Sequence, residues 1–208
     1  MSRTVLFAST NPHKLEEVRA ILEPHGIGVL GLDDVRMVAG QRGSDLPEPA
    51  EDAATFEGNA SIKAAYYARM TGAACLADDS GLEVDALDGA PGVHSARYAG
   101  VGKTRKERDA ANNAKLLRAL DGVPRDKRTG RFVCAMVLAE PTGAIAAMAR
   151  GTFEGWIGLE PRGANGFGYD PLVVLADGRT SAELTEAEKN ARSHRGEAAR
   201  KMVEFLKR

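Results

Sequence analysis

Residues 73–77, AACLA, lead into Asp78-Asp79-Ser80-Gly81, placing two adjacent carboxylates, a hydroxyl and a glycine after an apolar run. The run follows Thr71-Gly72 and predicts a short buried strand that ends on the acidic quartet. Adjacent carboxylates are a poor core element. They suit a divalent cation or an oriented water, because hard cations take oxygen ligands and glycine lets backbone approach a ligand. A solvated acidic turn is the plainer reading of the same letters.

Matching positive charge lies elsewhere. Ser9-Thr10-Asn11-Pro12-His13-Lys14 precedes Leu15, Val18, Ile21 and Leu22 at helical spacing. Asn11 is therefore an N-cap candidate and Pro12 a first helical residue. Free N–H groups at such a terminus, with Lys14 beside them, suit a phosphate, although an ordinary capped turn reads the same way. Lys63 shares a helical stripe with Phe56, Ala60, Tyr67 and Met70, so it points inward, either to snorkel or to face the Asp79 turn. Gly163-Ala-Asn-Gly-Phe-Gly-Tyr-Asp-Pro171 lacks the glycine spacing of a dinucleotide fingerprint. It reads as backbone close to a flat ligand with an aromatic to stack on it, or as a glycine-rich hairpin with one core aromatic. His194 and Arg195 lie near a helix start, where cations are disfavoured unless a ligand uses them.

These groups need elements to hold them. The patterning predicts a strand over 4–8, helices over 12–23, 55–70 and 104–120, and strands over 131–138, 144–148 and 172–175. A short helix capped by Thr185 and Glu188 and a last helix to about 206 complete the chain. Residues 31–51 read as mostly irregular. Gly100-Val-Gly-Lys-Thr104 is not a phosphate-binding P-loop, because position 97 is Arg and no strand precedes it.

At 208 residues the chain has room for a substantial core, and a net charge of −1 argues against bulk nucleic-acid or membrane binding. Cys75 and Cys134 each lie in an apolar run without metal or redox spacing, as buried thiols in a reducing compartment do. No signal-peptide pattern and no apolar stretch of membrane-spanning length is present, so a cytoplasmic location is expected.

The stretches Ser9–Lys14, Thr55-Phe-Glu-Gly-Asn-Ala-Ser-Ile-Lys63, Ala77-Asp-Asp-Ser-Gly-Leu82, Gly89-Ala-Pro-Gly-Val-His-Ser-Ala-Arg-Tyr98, Gly166-Phe-Gly-Tyr-Asp-Pro171 and Ser193-His-Arg-Gly196 occur in one order along nearly the whole chain. Together they resemble the inosine triphosphate pyrophosphatase family, the dITP/XTP pyrophosphatases that cleanse the nucleotide pool. The resemblance implies an α/β fold with an elongated mixed β-sheet flanked by helices, in two lobes around a central nucleotide-binding cleft. It implies one domain over residues 1–208, a homodimer, and Mg2+-dependent hydrolysis of purine nucleoside triphosphates such as ITP, dITP and XTP to monophosphate and pyrophosphate. Asp79 falls on the catalytic carboxylate, and Glu51 with Asp79 on the Mg2+ site, Asp52 being the alternative second ligand. Ser9, Thr10, Asn11, Pro12, His13, Lys14, Lys63 and Ser80 fall on substrate positions, as do Phe167, Gly168, Tyr169, Asp170, Lys189, His194 and Arg195.

Residue chemistry agrees with that reading. Water attack on an α-phosphorus needs a base and cations around a polyanionic chain. Arg195 only donates, so it suits the 6-oxo group of hypoxanthine or xanthine and meets a repelling amino group on adenine. Three rivals remain: a carboxylate pair of glycosidase type from Asp79 and Glu83, a non-catalytic nucleotide sensor, and a pyrophosphatase for pyrimidine or modified nucleotides.

Overall fold

The computed structural model describes residues 3–35 and 42–207. Part of the segment read as irregular, residues 36–41, lies outside the described residues.

Six strands form one mixed sheet, in the order β2-β1-β3-β4-β5-β6. These are β1 (Arg3–Phe7), β2 (Ile27–Leu30), β3 (Cys75–Val84), β4 (Thr129–Ala139), β5 (Ile145–Ile157) and β6 (Val173–Val174). β1 pairs in parallel with β2 and with β3, whereas β5 and β6 are antiparallel. The helices are α1 (Pro12–Leu22), α2 (Phe56–Thr71), α3 (Arg105–Ala119), α4 (Glu186–Arg192) and α5 (His194–Leu206).

Local chemistry sets their starts. The Asn11 side chain accepts from the His13 N–H and Pro12 opens α1. Thr55 caps α2 by accepting from the Gly58 N–H. Reciprocal Thr–Glu capping boxes start α3 at Thr104 and Glu107 and α4 at Thr185 and Glu188.

The chain divides into two compact units. The first comprises Met1–Asp79, Cys134–Gly151 and His194–Arg208; the second comprises Ser80–Val133 and Thr152–Ser193. In the first unit α1 and α5 pack on each other and on one sheet face, around Phe7, Val18, Leu22, Leu76, Met136, Ala199 and Met202. In the second unit Leu116 of α3 and Leu120 just past its end pack with Leu82, Phe153, Tyr169 and Leu172. Arg128 is buried there, and its guanidinium donates to the carbonyls of Leu120, Ile157 and Gly158, each at 3.0 Å. A buried cation is tolerated when each of its nitrogens donates in this way.

Several strand expectations change. β2 was not foreseen, since Ile27–Leu30 is short and follows Gly26 directly. More important, β3 does not stop at Ala77; it continues through Asp78-Asp79-Ser80-Gly81 to Val84. β1 accompanies it only at Cys75 and Leu76, so the acidic quartet lies beyond the end of β1 while β3 keeps its other neighbour, β4.

Candidate active site

An extended backbone sends successive side chains to opposite faces of the sheet, so Asp78 and Asp79 cannot do the same job. Asp78 shares a face with Leu76, toward α1 and α5. It is 1% exposed. Lys14 of α1 donates to it at 3.0 Å and Arg195 of α5 at 3.1 Å, and Arg195 also pairs with Glu17 of α1. Burial pushes the Asp78 carboxyl up, but Lys14, Arg195 and Lys63 outweigh it and hold the group well below the usual carboxylate range. For Arg195 burial is likewise outweighed, here by Asp78 and Glu17, and its pKa is raised. Lys14 goes the other way: burial lowers it and Asp78 only partly offsets that. Two cations and two anions thus form a charge-balanced, largely buried ionic set. Cys134 completes this wall with its thiol 3.7 Å from Asp78, and burial pushes that thiol up.

Asp79 faces α2 instead. Its Oδ2 accepts from the Asn59 amide at 3.0 Å. Burial raises its pKa, and Lys63 and Asn59 offset this only in part, while the charge of Glu51 adds to the rise. A carboxylate pushed upward in pKa is a better proton acceptor than an ordinary one. Lys63, one turn after Asn59, donates to the Asp78 carbonyl at 2.9 Å and pairs with Glu51 at 3.0 Å. Burial works against its ammonium, yet Asp78, Glu51 and Asp79 together hold its pKa above the ordinary value. The inward reading of Lys63 is therefore the right one, and it does not snorkel.

Glu51 and Asp79 supply two carboxylates, and among the described residues no group of three or more His, Cys, Asp and Glu assembles. That donor set fits Mg2+, which keeps several waters and uses one or two carboxylates plus substrate phosphates. Asp52 is exposed, whereas Glu51 is ion-paired beside the site.

At the start of α1 the side chains are engaged locally. Ser9 Oγ accepts from the Asn11 N–H at 3.2 Å, and the Thr10 hydroxyl donates to Glu48 at 3.0 Å. His13 is exposed beside Glu16.

Phe167, Gly168, Tyr169, Asp170 and Lys189 belong to the second unit. Asp170 is buried and organises its loop: it accepts from the Phe167 N–H at 2.8 Å, the Ser181 hydroxyl at 2.7 Å and Lys189 at 2.7 Å. Gly166, at φ +74°, must be glycine, because a Cβ there would collide with the Asp170 carboxylate. The Gly168 backbone is held on both sides, its N–H by Asp109 and its carbonyl by Asn113. Tyr169 is a core residue, its hydroxyl donating to the Ser95 carbonyl at 2.9 Å. Phe167 is the half-buried aromatic of the pair, with the Arg105 guanidinium 4.4 Å and the Lys189 ammonium 5.0 Å from its ring centre.

The first unit thus brings Lys14, Lys63, Glu51, Asp79 and Arg195 around one stretch of β3. A sequence model of the Ham1 family matches residues 5–205. The chain belongs to the Ham1 family. This Ham1 chain is 49% identical to the dITP/XTP pyrophosphatase of Exiguobacterium sibiricum, with 97% of the chain and 96% of the relative covered. It is 50% identical to the dITP/XTP pyrophosphatase of a second Exiguobacterium strain, AT1b, over 98% of each chain. Among solved structures, the HAM1 protein from Coxiella burnetii superposes with a TM-score of 0.84 at 39% identity, covering 99% of this chain and 98% of that one.

Sequence reasoning overlooked Asn59, Glu17, Arg105 and the separate duty of Asp78. Asn59 had a usable signal, since it precedes Lys63 by four residues and so shares its helix face. Arg195 was read as facing a base. Its guanidinium is instead engaged by Asp78 and Glu17, and the side chain is 1% exposed. His194 is buried as the first residue of α5.

Proposed function

We propose that this protein hydrolyses non-standard purine nucleoside triphosphates, dITP, ITP and XTP, to the monophosphate and pyrophosphate. The carrying observation is the division of labour on β3: Asp78 is consumed by a buried ionic set, while Asp79, pushed up in pKa, faces Asn59, with Lys63 and Glu51 close by. The dITP/XTP pyrophosphatase relatives give the same substrate class.

In this reading Asp79 orients the attacking water and accepts its proton as the oxygen closes on the α-phosphorus; pyrophosphate leaves. Lys63 and Lys14 neutralise phosphate oxygens. An ammonium has three donors, so the contacts of Lys14 with Asp78 do not exhaust it. Glu51 and Asp79 would hold Mg2+, which supplies charge neutralisation to the phosphate chain. Ser9, Thr10, Asn11, His13 and Ser80 contribute backbone and side-chain donors to the same chain, and Pro12, which has no N–H, opens the helix beside them. Phe167, Gly168, Tyr169, Asp170, Lys189, His194 and Arg195 form the nucleoside side of the assignment: Phe167 offers the ring face, Asp170 fixes its loop, and Arg195 braces the strand that carries Asp79. Residues 1–208 act as one catalytic domain, as a cytoplasmic homodimer, on the strength of the resemblance.

The glycosidase rival fails on spacing. Asp79 and Glu83 lie four residues apart on β3, roughly 13 Å along a strand, beyond the span of paired glycosidase carboxylates. The deciding experiment is a pyrophosphate-release panel over ITP, dITP, XTP, GTP, ATP and the pyrimidine triphosphates, with and without Mg2+. Highest kcat/KM on ITP, dITP and XTP, lost on chelation, is the expected result. Equal rates on pyrimidines, or inorganic phosphate as the product, would overturn it.

A further inference from the structure

We infer that Asn59 is a positioning residue that fixes the Asp79 carboxylate and the Glu51 segment relative to each other. This rests on the roles given above to Asp79 and Glu51. Asn59 is 1% exposed in the first turn of α2, and both ends of its amide are spent. The nitrogen donates to Asp79 Oδ2 at 3.0 Å; the oxygen accepts from the Ala53 N–H at 3.0 Å, two residues after Glu51.

A second feature clamps the same loop. A Cβ on Gly58 would lie 2.6 Å from the Ala53 Cβ, so the loop can press on the helix only because position 58 is bare. One turn later Lys63 repeats the pattern, pairing with Glu51 and donating to the Asp78 carbonyl. The face of α2 carrying Asn59 and Lys63 therefore ties two segments about 25 residues apart in sequence, each bearing one candidate metal ligand. An amide is the right group for this place. It gives one donor and one acceptor without a charge, whereas Asp would repel Asp79 and Leu would leave both partners unserved.

Outer partners that orient metal-binding carboxylates typically change affinity or activity about 10–100-fold when removed. Asn59→Leu should lower kcat by that factor with a smaller change in KM for ITP. In substrate-free protein it should weaken Mn2+ binding, counted by the loss of free-ion paramagnetic resonance signal, by about tenfold. In an Asp79→Asn background the same substitution should add little further loss, because the group it orients has already been changed. Asn59→Asp keeps the shape and the acceptor for Ala53 but replaces the donor to Asp79 with a like charge, so this variant must also lose kcat about tenfold or more. A folded Asn59→Leu or Asn59→Asp with wild-type kcat and Mn2+ binding would overturn the inference, as would losses that multiply fully with Asp79→Asn. If Asp79→Asn itself keeps turnover and Mn2+ binding, the role given to Asp79 fails instead, whatever the Asn59 variants do.

Discussion

Asp78→Asn is the perturbation that best separates the two adjacent carboxylates. It changes one atom on a side chain 1% exposed, with Lys14 at 3.0 Å and Arg195 at 3.1 Å. The buried set then goes from two cations and two anions to two cations and Glu17 alone. The new amide nitrogen also points donor hydrogens at a donor-only neighbour. Breaking a buried ion pair from one side costs about 3–5 kcal/mol, a large share of a stability of roughly 5–15 kcal/mol. For a chain of this size that is a fall of about 6–20 °C in Tm. The pH dependence has a definite sign. A carboxyl held below its unfolded pKa, about 3.9, contributes stability that is complete above that value and is lost as pH falls through the lower folded pKa. The deficit of the variant should therefore be full at pH 7 and shrink only on acidification below about pH 4. Urea or thermal melts at pH 7 and pH 3 read both quantities. A Tm within about 2 °C of wild type at pH 7, with turnover abolished, would refute the reasoning and move the chemistry from Asp79 to Asp78.

Asp79→Asn should lose about 10²–10⁴-fold in kcat, and more where a metal ligand is lost, while keeping most nucleotide affinity. Because burial raises the Asp79 pKa, removing its charge relieves a penalty present above that pKa, and the Tm at pH 7 should equal or exceed wild type. Lys63→Met should weaken ITP binding and slow turnover; it leaves the buried Asp78 carbonyl without its 2.9 Å donor, so a loss of about 1–3 kcal/mol in urea melts is expected rather than a gain. Wild-type kinetics with that loss would make Lys63 purely structural. Asp170→Asn should release Lys189 and the Phe167 loop, raising KM for ITP about 10–100-fold with a smaller effect on kcat; an unchanged KM would remove Phe167 from nucleotide binding.

Much of the fold was legible because its signals are local. The Asn11-Pro12 start and the Thr185–Glu188 capping box operate within one helical turn, and the structure carries both. What failed was the extent of strands. The polar letters of residues 78–81 read as a turn because no core accepts two bare carboxylates. Their partners, Lys14, Lys63 and Arg195, lie 64, 15 and 117 residues away from Asp78, and no local pattern announces them. Once those cations are present, an acidic quartet is compatible with an extended backbone. β6 was overestimated for the opposite reason: Leu172 and Leu175 are buried apolar residues, but only Val173 and Val174 find ladder partners on β5.

The site itself was legible as a set of residue types and not as a set of roles. A pair of adjacent aspartates looks like a doubled function, and composition cannot say otherwise. Extended geometry does, since two consecutive residues on a strand must face opposite ways. The α1 and α5 face supplies Arg195, which makes Asp78 a permanent anion held from both sides. The α2 face supplies an uncharged amide and a lysine shared with Glu51, too little to offset burial, so Asp79 stays raised in pKa. Arg195 takes part in this logic: its guanidinium is bound to two carboxylates, and through Asp78 it fixes the strand position of Asp79, one residue on. The same two letters thus become a charge-paired anchor and a carboxylate raised in pKa, and the difference follows from which helix each one meets.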